Sequence, residues 1–382
     1  GQDTDRVGTP RVQKDLVDRK CQQRDETMLW VDKYRPHTLD QMTTVNTDIA
    51  QHLKRLVQDG DCPHLLFYGV GGAGKKTLAL AVLREIFGAA VEKVKVEGKT
   101  WKLEQGERKI EVELTTMSSN YHVEMNPSDV GTKDRYVVQE VIKDMAKSRP
   151  IDAAGQQGYK VLLLNEVDRL SKEAQHGLRR TMEKYSSACR LILICTSVSK
   201  VLDAVRSRCL PVRVAAPSVE TVEKLVMDVA QKEKLAMPPE LAARLALHSE
   251  RNMRRCLLSM EACRVQQYPF KADQPVQVCD WEAYVTQIAN EILQEQTPKR
   301  LLQVRGRFYE LIVNCIPPEL IIKRLVRELN RKLDVELKHE TAKHAAYFEH
   351  RMNEGSKAII HMEAFVANFM AVYKKYLISS FG

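Results

Sequence analysis

From Trp30 to about Pro217, short apolar runs alternate with amphipathic stretches, the pattern of a parallel sheet covered by helices on both faces. His64-Leu65-Leu66-Phe67-Tyr68, Val161-Leu162-Leu163-Leu164 and Leu191 to Cys195 are apolar almost throughout, as strands buried on both sides require. Lys75 to Phe87 instead spaces Leu78, Val82, Leu83 and Ile86 as one helical face, and Gly88 ends it. A second helix follows Gly131-Thr132 with Val137, Val138, Val141 and Met145 inward, and a third spans Lys172 to Tyr185. Between Val91 and Thr115 the period shortens to two. Lys93-Val94-Lys95-Val96 and Lys109 to Leu114 alternate around Gly98 and Gly106, which predicts a half-exposed hairpin at a sheet edge.

Beyond Pro217 the pattern is helical only. Ser218 to about Phe270 reads as a small helical unit interrupted once, at Pro238-Pro239, and longer helices run from Trp281 to the end. Two stripes stand out there: Ile322, Leu325, Val326 and Leu329, and Phe365, Phe369, Val372 and Tyr376. Such stripes are core unless the last domain is too small to bury both, in which case they face partner subunits. Residues 1–27 mix charges with Gln, Thr and Gly without periodicity, which predicts a disordered tail. The expected divisions are this tail, an α/β domain over 28–217, a helical unit over 218–275 and a helical domain over 276–382.

Composition narrows the class. A chain of 382 residues can bury two or three cores, and a net charge of +9 favours an anionic partner, nucleic acid first. Nine cysteines without a C-x-x-C pair suggest neither a disulfide framework nor a zinc site, so a reducing compartment fits. The longest apolar runs fall short of a membrane span and no signal peptide is visible. A soluble intracellular protein with no membrane partner is expected.

The candidate chemistry lies between the first strand and its helix, in Gly69-Val70-Gly71-Gly72-Ala73-Gly74-Lys75-Lys76-Thr77. In a phosphate-binding loop of this kind backbone N–H groups wrap the phosphates and the lysine reaches the terminal ones. The next residue is a serine or threonine that ligates magnesium. Here that residue is Lys76. A helix turns about 100° per residue, so Thr77 points elsewhere, and an ammonium repels a divalent cation. A second departure follows the strand ending at Leu164, where Asn165-Glu166-Val167-Asp168 stands at the Walker B position. That pattern opens with an aspartate for magnesium and a glutamate to activate water. Asn165 brings no charge, whereas Glu166 keeps the base. Each lost ligand costs a few kcal/mol of transition-state stabilisation, and about 1.4 kcal/mol is tenfold in rate. The expectation is a site that holds ATP or ADP, with magnesium weak or absent and hydrolysis slow or absent.

Trp30-Val31-Asp32-Lys33-Tyr34-Arg35-Pro36, the double-lysine loop, Asn165 to Asp168, Ser207-Arg208-Cys209 and Glu261 to Phe270 together resemble the small subunits of eukaryotic replication factor C, the third most nearly. The resemblance runs from about Met28 to the C-terminus. It implies an AAA+ core, a helical lid over 218–275 and a helical collar over 276–382, through which five different subunits form a ring-like spiral. It also implies other replication factor C subunits, the sliding clamp proliferating cell nuclear antigen and primer–template DNA as partners, in DNA replication and repair in the nucleus.

Carried onto this sequence, the resemblance sets Val31, Tyr34, Arg35 and Pro36 against adenine and ribose, with Gly69, Gly71, Gly72, Ala73, Gly74, Lys75, Lys76 and Thr77 around the phosphates. Thr196 stands where the family has a polar phosphate sensor, usually asparagine, and Arg254 matches the lid arginine, with Arg255 beside it facing solvent. Arg208 would leave its own subunit for the neighbour's nucleotide site, where a guanidinium stabilises charge in phosphoryl transfer. Arg135 and Lys143, spaced by four with Gln139 and Lys147, would follow the duplex backbone from a helix whose N-terminus offers free N–H groups; without the resemblance this stripe reads as a solvated face. Arg179 and Arg180 would touch DNA or a neighbouring subunit. Two other readings remain. An autonomous AAA+ DNA motor ATPase needs the magnesium site that Lys76 and Asn165 degrade, and a nucleotide-free scaffold leaves the intact loop unused.

Overall fold

The computed structural model describes residues 28–58, 60, 62–105, 108–147, 158–186, 188–355 and 357–381. The predicted tail over 1–27, the hairpin turn at Gly106 and the side chain of Lys147 lie outside what is described. The chain falls into two units, Gly1–Val276 and Gln277–Gly382.

The first unit runs α1 (Trp30–Lys33), α2 (Thr47–Gln58), β1 (Leu65–Tyr68), α3 (Lys75–Phe87), β2 (Lys95–Gln105), β3 (Arg108–Ser118), β4 (His122–Met125), α4 (Asp134–Lys147), β5 (Lys160–Leu164), α5 (Lys172–Lys184), β6 (Cys189–Cys195), α6 (Asp203–Arg206), β7 (Leu210–Arg213), α7 (Val219–Lys232), α8 (Pro239–His248) and α9 (Met253–Gln266). The strands form one sheet in the order β2-β3-β4-β5-β6-β1-β7. Five are parallel, from β4 to β7, and β2–β3 adds an antiparallel edge. The strands read as apolar because both faces are covered. Leu66, Leu162 and Leu193 point into a core with Val137, Val138 and Leu178, whereas Leu65, Phe67 and Ile192 point the other way, onto Leu78 and Val82. This winding brings the ends of β1, β4, β5 and β6 together along the edge where open α/β sheets bind ligands.

The edge hairpin is present but longer than the alternation suggested. Gly98 does not flank its first strand; it lies inside β2, opposite Thr115. The helical segment after Pro217 also differs from expectation, with three helices and two breaks. No Gly or Pro announces the second break, where Glu250 and Arg251 take φ of 54° and 66° and the Asn252 side chain caps α9 by accepting the N–H of Arg255 at 3.1 Å. The lid helices α7 to α9 and Trp30 share one core, in which Val222, Val226, Leu241, Leu245 and Met260 are buried.

The second unit consists of α10 (Asp280–Gln294), α11 (Pro298–Val313), α12 (Pro318–Asn330), α13 (Val335–Glu354) and α14 (Ala358–Phe381). Its core takes in both predicted stripes. Ile322, Leu325, Leu329, Phe365 and Phe369 are buried, and Val326, Val372 and Tyr376 pack against them. Among the described residues, no helix is long and apolar enough to cross a membrane.

Candidate nucleotide site

The glycine loop leaves β1 under tight constraint. Gly69 has φ +145°, and a Cβ there would lie 3.1 Å from the Val214 carbonyl carbon and closer still to its oxygen. Asn46 Nδ2 donates to the Ala73 carbonyl at 3.0 Å on one side, and the Met253 N–H donates to the Gly72 carbonyl at 3.3 Å on the other. The loop is therefore held between the core and the first turn of α9. The Lys75 ammonium folds back onto its own loop, donating to the Gly69 and Val70 carbonyls at 2.6 and 2.8 Å. Burial pulls its pKa below the ordinary lysine value, opposed by Cys195 and Asp168 and reinforced by Arg254.

Beside the loop lies a cavity of about 200 Å³. Val31, Tyr34, Arg35 and Pro36 line it, together with Gly72, Gly74 and Thr77 of the loop and helix α3, and Arg254 of α9. Three sequence-predicted groups thus meet at one place. The segment that carries Tyr34 is tied to the lid, because the Tyr34 hydroxyl and the Lys33 ammonium both donate to Glu233 just beyond α7. Of the arginine pair, Arg254 is exposed and lines the cavity, whereas Arg255, expected to face solvent, is half-buried.

At the metal position the arrangement is new. The Lys76 ammonium pairs with the Glu124 carboxylate, and the same Oε1 accepts the Asn165 amide Nδ2–H at 2.7 Å. Glu124 precedes Met125, the last residue of β4, whose carbonyl accepts the Asn165 backbone N–H at 3.1 Å. Its side chain is only 9% exposed, while that of Lys76 is 34% exposed. Sequence reasoning missed Glu124. The available signal was a lone acid within His122-Val123-Glu124-Met125, a segment short and apolar enough to be a sheet-centre strand. These residues do not fit a magnesium ion. The nearest carboxylate is neutralised by a tethered ammonium, the hydroxyl is gone, and Asn165 spends its amide as a donor. Among the described residues, no group of three or more His, Cys, Asp or Glu could hold a metal.

Of the predicted nucleotide residues, Gly69, Gly71, Ala73, Lys75, Lys76, Asn165 and Thr196 are not in the cavity lining, nor is Glu166. Glu166, at φ 52°, is paired with Arg169 at 2.9 Å, so the expected base carries a local counter-charge. Thr196 is exposed, and its backbone N–H, with that of Ser197, donates to Asp168 Oδ2 at 3.2 and 3.1 Å.

Arg208 lies on the turn after α6, outside the cavity lining. Its Nε donates to Glu183 Oε1 at 2.8 Å and its Nη1 to the Ala204 carbonyl at 2.7 Å. The predicted basic stripe is less free than its spacing implied. Arg135 Nη1 is 3.8 Å from Glu173, and Lys143 pairs with Glu140 at 3.2 Å. Gln139 packs on α5, where a Cβ on Gly177 would lie 2.6 Å from its Nε2. The N-terminus of α4, expected to be open to phosphate, starts instead with a buried acid. Asp134 accepts the Ser171 N–H at 2.7 Å and its hydroxyl at 2.9 Å, as well as the Arg135 N–H at 2.7 Å. On α5 Arg179 reaches Glu183 at 3.7 Å, and Arg180 is exposed.

Comparison with known proteins covers both units. The family model described as "Replication factor C subunit 3, C-terminal domain" matches residues 281–377, and that described as "DNA polymerase III, delta subunit" matches residues 45–218. Over 355 residues the chain is 61% identical to replication factor C subunit 3 of Arabidopsis thaliana, covering 93% of this chain and 100% of that one. Replication factor C subunit 5 of Oryza sativa subsp. japonica is 61% identical over 355 residues, with the same coverage. Replication factor C subunit 3 of Homo sapiens is 54% identical over 349 residues, covering 91% and 97% of the two chains.

Proposed function

The chain belongs to the replication factor C subunit 3 family and is a clamp-loader subunit of DNA replication, and on that premise we propose that its own site holds ATP or ADP without efficient hydrolysis while Arg208 serves the nucleotide of a neighbouring subunit. The observation that carries this reading is the ammonium, carboxylate and amide of Lys76, Glu124 and Asn165 at the place where hydrolysis needs a metal. Phosphate capture falls to the loop and Lys75. Val31, Tyr34, Arg35 and Pro36 cover the base and sugar, and Arg254 closes the lid side. Magnesium is weak or absent there.

The trans role of Arg208 is supported by its position on a surface turn, away from its own cavity, with a side chain about one-third exposed. In the assembled loader it leaves Glu183 for the neighbour's phosphates. An arginine supplied in trans is worth about 10³ to 10⁵ in rate. Arg208→Ala in the reconstituted complex is therefore expected to depress ATP turnover by orders of magnitude while leaving assembly intact; an unchanged rate sinks the trans role. Turnover by the isolated chain at rates typical of motor enzymes would sink the weak-hydrolysis half.

The working partners in this reading are the other subunits, the sliding clamp proliferating cell nuclear antigen, and primer–template DNA, in nuclear replication and repair. Arg135, Lys143, Arg179 and Arg180 are the candidate phosphate contacts, the last two toward DNA or a neighbour. Glu173, Glu140 and Glu183 must release Arg135, Lys143 and Arg179 before these can neutralise phosphate, so each of the three contacts adds less than a free cation would.

A further inference from the structure

Resting on the nucleotide reading above, we propose that Lys76, positioned by Glu124, is a resident cation that takes the place of magnesium, so that this site binds the metal-free form of a nucleoside di- or triphosphate. Three observations converge on it. First, the parallel register of β4 and β5 sets Met125 beside Leu164, which brings Glu124 and Asn165 together at the sheet edge where the loop ends. Second, Glu124 Oε1 receives two donors, the Lys76 ammonium and the Asn165 amide. A carboxylate so deeply buried needs such pairing. Third, the Lys76 side chain stays one-third exposed on the first turn of α3; it does not itself line the cavity, but Gly74 and Thr77, close to it in the chain, do. Among the described residues Glu124 is its ion-pair partner, and an ammonium has three donors. Two remain for phosphate oxygens.

The two departures from an ordinary magnesium site are thus one device. With aspartate at 165, two carboxylates would crowd one ammonium and draw a divalent ion back in; asparagine instead donates to Glu124 and leaves the pair neutral. With serine or threonine at 76, Glu124 would be buried without a cation. Each change makes the other tolerable. Glu124 acts through Lys76 and is a positioning residue.

The test is nucleotide binding by the full-length chain, read by the fluorescence of N-methylanthraniloyl-ADP in excess EDTA and again in excess magnesium. The wild-type affinity is expected to differ by less than about threefold between the two, well short of the tenfold that marks a lost ligand. Manganese titrated with nucleotide should give no bound-ion signal by electron paramagnetic resonance. Lys76→Thr combined with Asn165→Asp should bind at least about tenfold more weakly in EDTA, recover in magnesium and show bound manganese. Glu124→Gln should weaken metal-free binding without making it magnesium-dependent. If wild-type binding drops about tenfold or more on removal of magnesium, or manganese enters with the nucleotide, the resident-cation proposal is overturned while nucleotide retention stands. If the wild-type chain binds nucleotide under neither condition, both are overturned. The wild-type arm decides the matter even where a variant fails to fold.

Discussion

Gly72→Ala is expected to break the contact through which the lid holds the phosphate loop. Gly72 has φ +73°, a conformation that costs an L residue about 1–2 kcal/mol. An added Cβ would sit on the Asn252 amide, 2.9 Å from its Nδ2 and closer to its Oδ1. Asn252 escapes only by rotating, and rotation gives up the N-cap bond to Arg255, worth about 1 kcal/mol. Together these predict a loss of about 2–3 kcal/mol in the first unit. Asn252→Ala alone forfeits the cap, about 1 kcal/mol. Because the cap is already lost in Gly72→Ala, the double variant should cost about 1 kcal/mol less than the sum of the singles. Gly71→Ala is the internal control: nothing lies within 4 Å of its Cβ, and the change should stay within about 0.5 kcal/mol.

Urea unfolding measures the cycle, followed by Trp30 fluorescence in a Trp101→Phe, Trp281→Phe background so that the signal reports the lid core. Hydrogen exchange along α9 gives a second readout, since loss of the cap frays its first turn. Coupling below about 0.3 kcal/mol, or a Gly71→Ala as costly as Gly72→Ala, would refute the reasoning, because no shared side chain would then connect loop and lid.

Two further outcomes follow from the ionisable groups. Burial, and next the charge of Arg190, lower the His64 pKa from 6.5 to about 4, and its Nδ1 must stay unprotonated to accept the Leu191 N–H at 3.0 Å. The fold therefore binds fewer protons than the unfolded chain between these values. This contribution is complete above pH 6.5 and lost as pH falls toward about 4, at most about 2–3 kcal/mol after screening. His64→Gln keeps an acceptor and should flatten that part of the pH profile of the urea midpoint; an unchanged acid slope would assign the effect to other groups. At Glu233, burial raises the carboxyl pKa, but hydrogen bonds from Lys33 and Tyr34 outweigh it and hold the group below its usual value. Tyr34→Phe should move that pKa upward in a carboxyl NMR titration and cost about 1 kcal/mol, with nucleotide binding a few-fold weaker; no movement would mean that the hydroxyl bond does not form in solution.

What was legible in the sequence is what a local period can encode. The strand, loop and helix from Leu65 to Phe87 follow from an apolar run, glycine punctuation and a helical face, each readable within a dozen residues. The length of the β2–β3 hairpin was not legible, because Gly98 looks like a terminator and keeps its place through cross-strand pairing with Thr115. The break at Glu250 and Arg251 carries no breaker residue; their left-handed backbone is set by the capping of α9 and its docking on Gly72. Glu124 was invisible for a deeper reason. Its role depends on β4 lying beside β5, a pairing between segments forty residues apart that no window contains. The same holds for Arg135 of α4, whose pairing with Glu173 of α5 spans distant segments, whereas the Lys143–Glu140 and Arg179–Glu183 pairs are local to one helix.

Taken together, the charges at this site are spent on each other. Lys76 is paired with Glu124, Glu166 with Arg169 and, outside the cavity, Arg208 with Glu183, while Asp168 accepts the Thr196 and Ser197 N–H groups. On the proposed reading, binding energy from a retained nucleotide goes to the joint between loop and lid. There Tyr34 reaches Glu233, Met253 reaches Gly72, and Arg254 faces the cavity. A ligand present at a hundredfold over its Kd adds about 2.7 kcal/mol to the state that binds it. That is comparable to the loss expected for Gly72→Ala, and on the proposed reading, in which the site does not turn its nucleotide over, the contribution is constant. On the same reading, such a nucleotide would hold the shape of the first unit. Under the proposed trans role, turnover elsewhere in the assembly would change Arg208's surroundings without changing the turn that carries it.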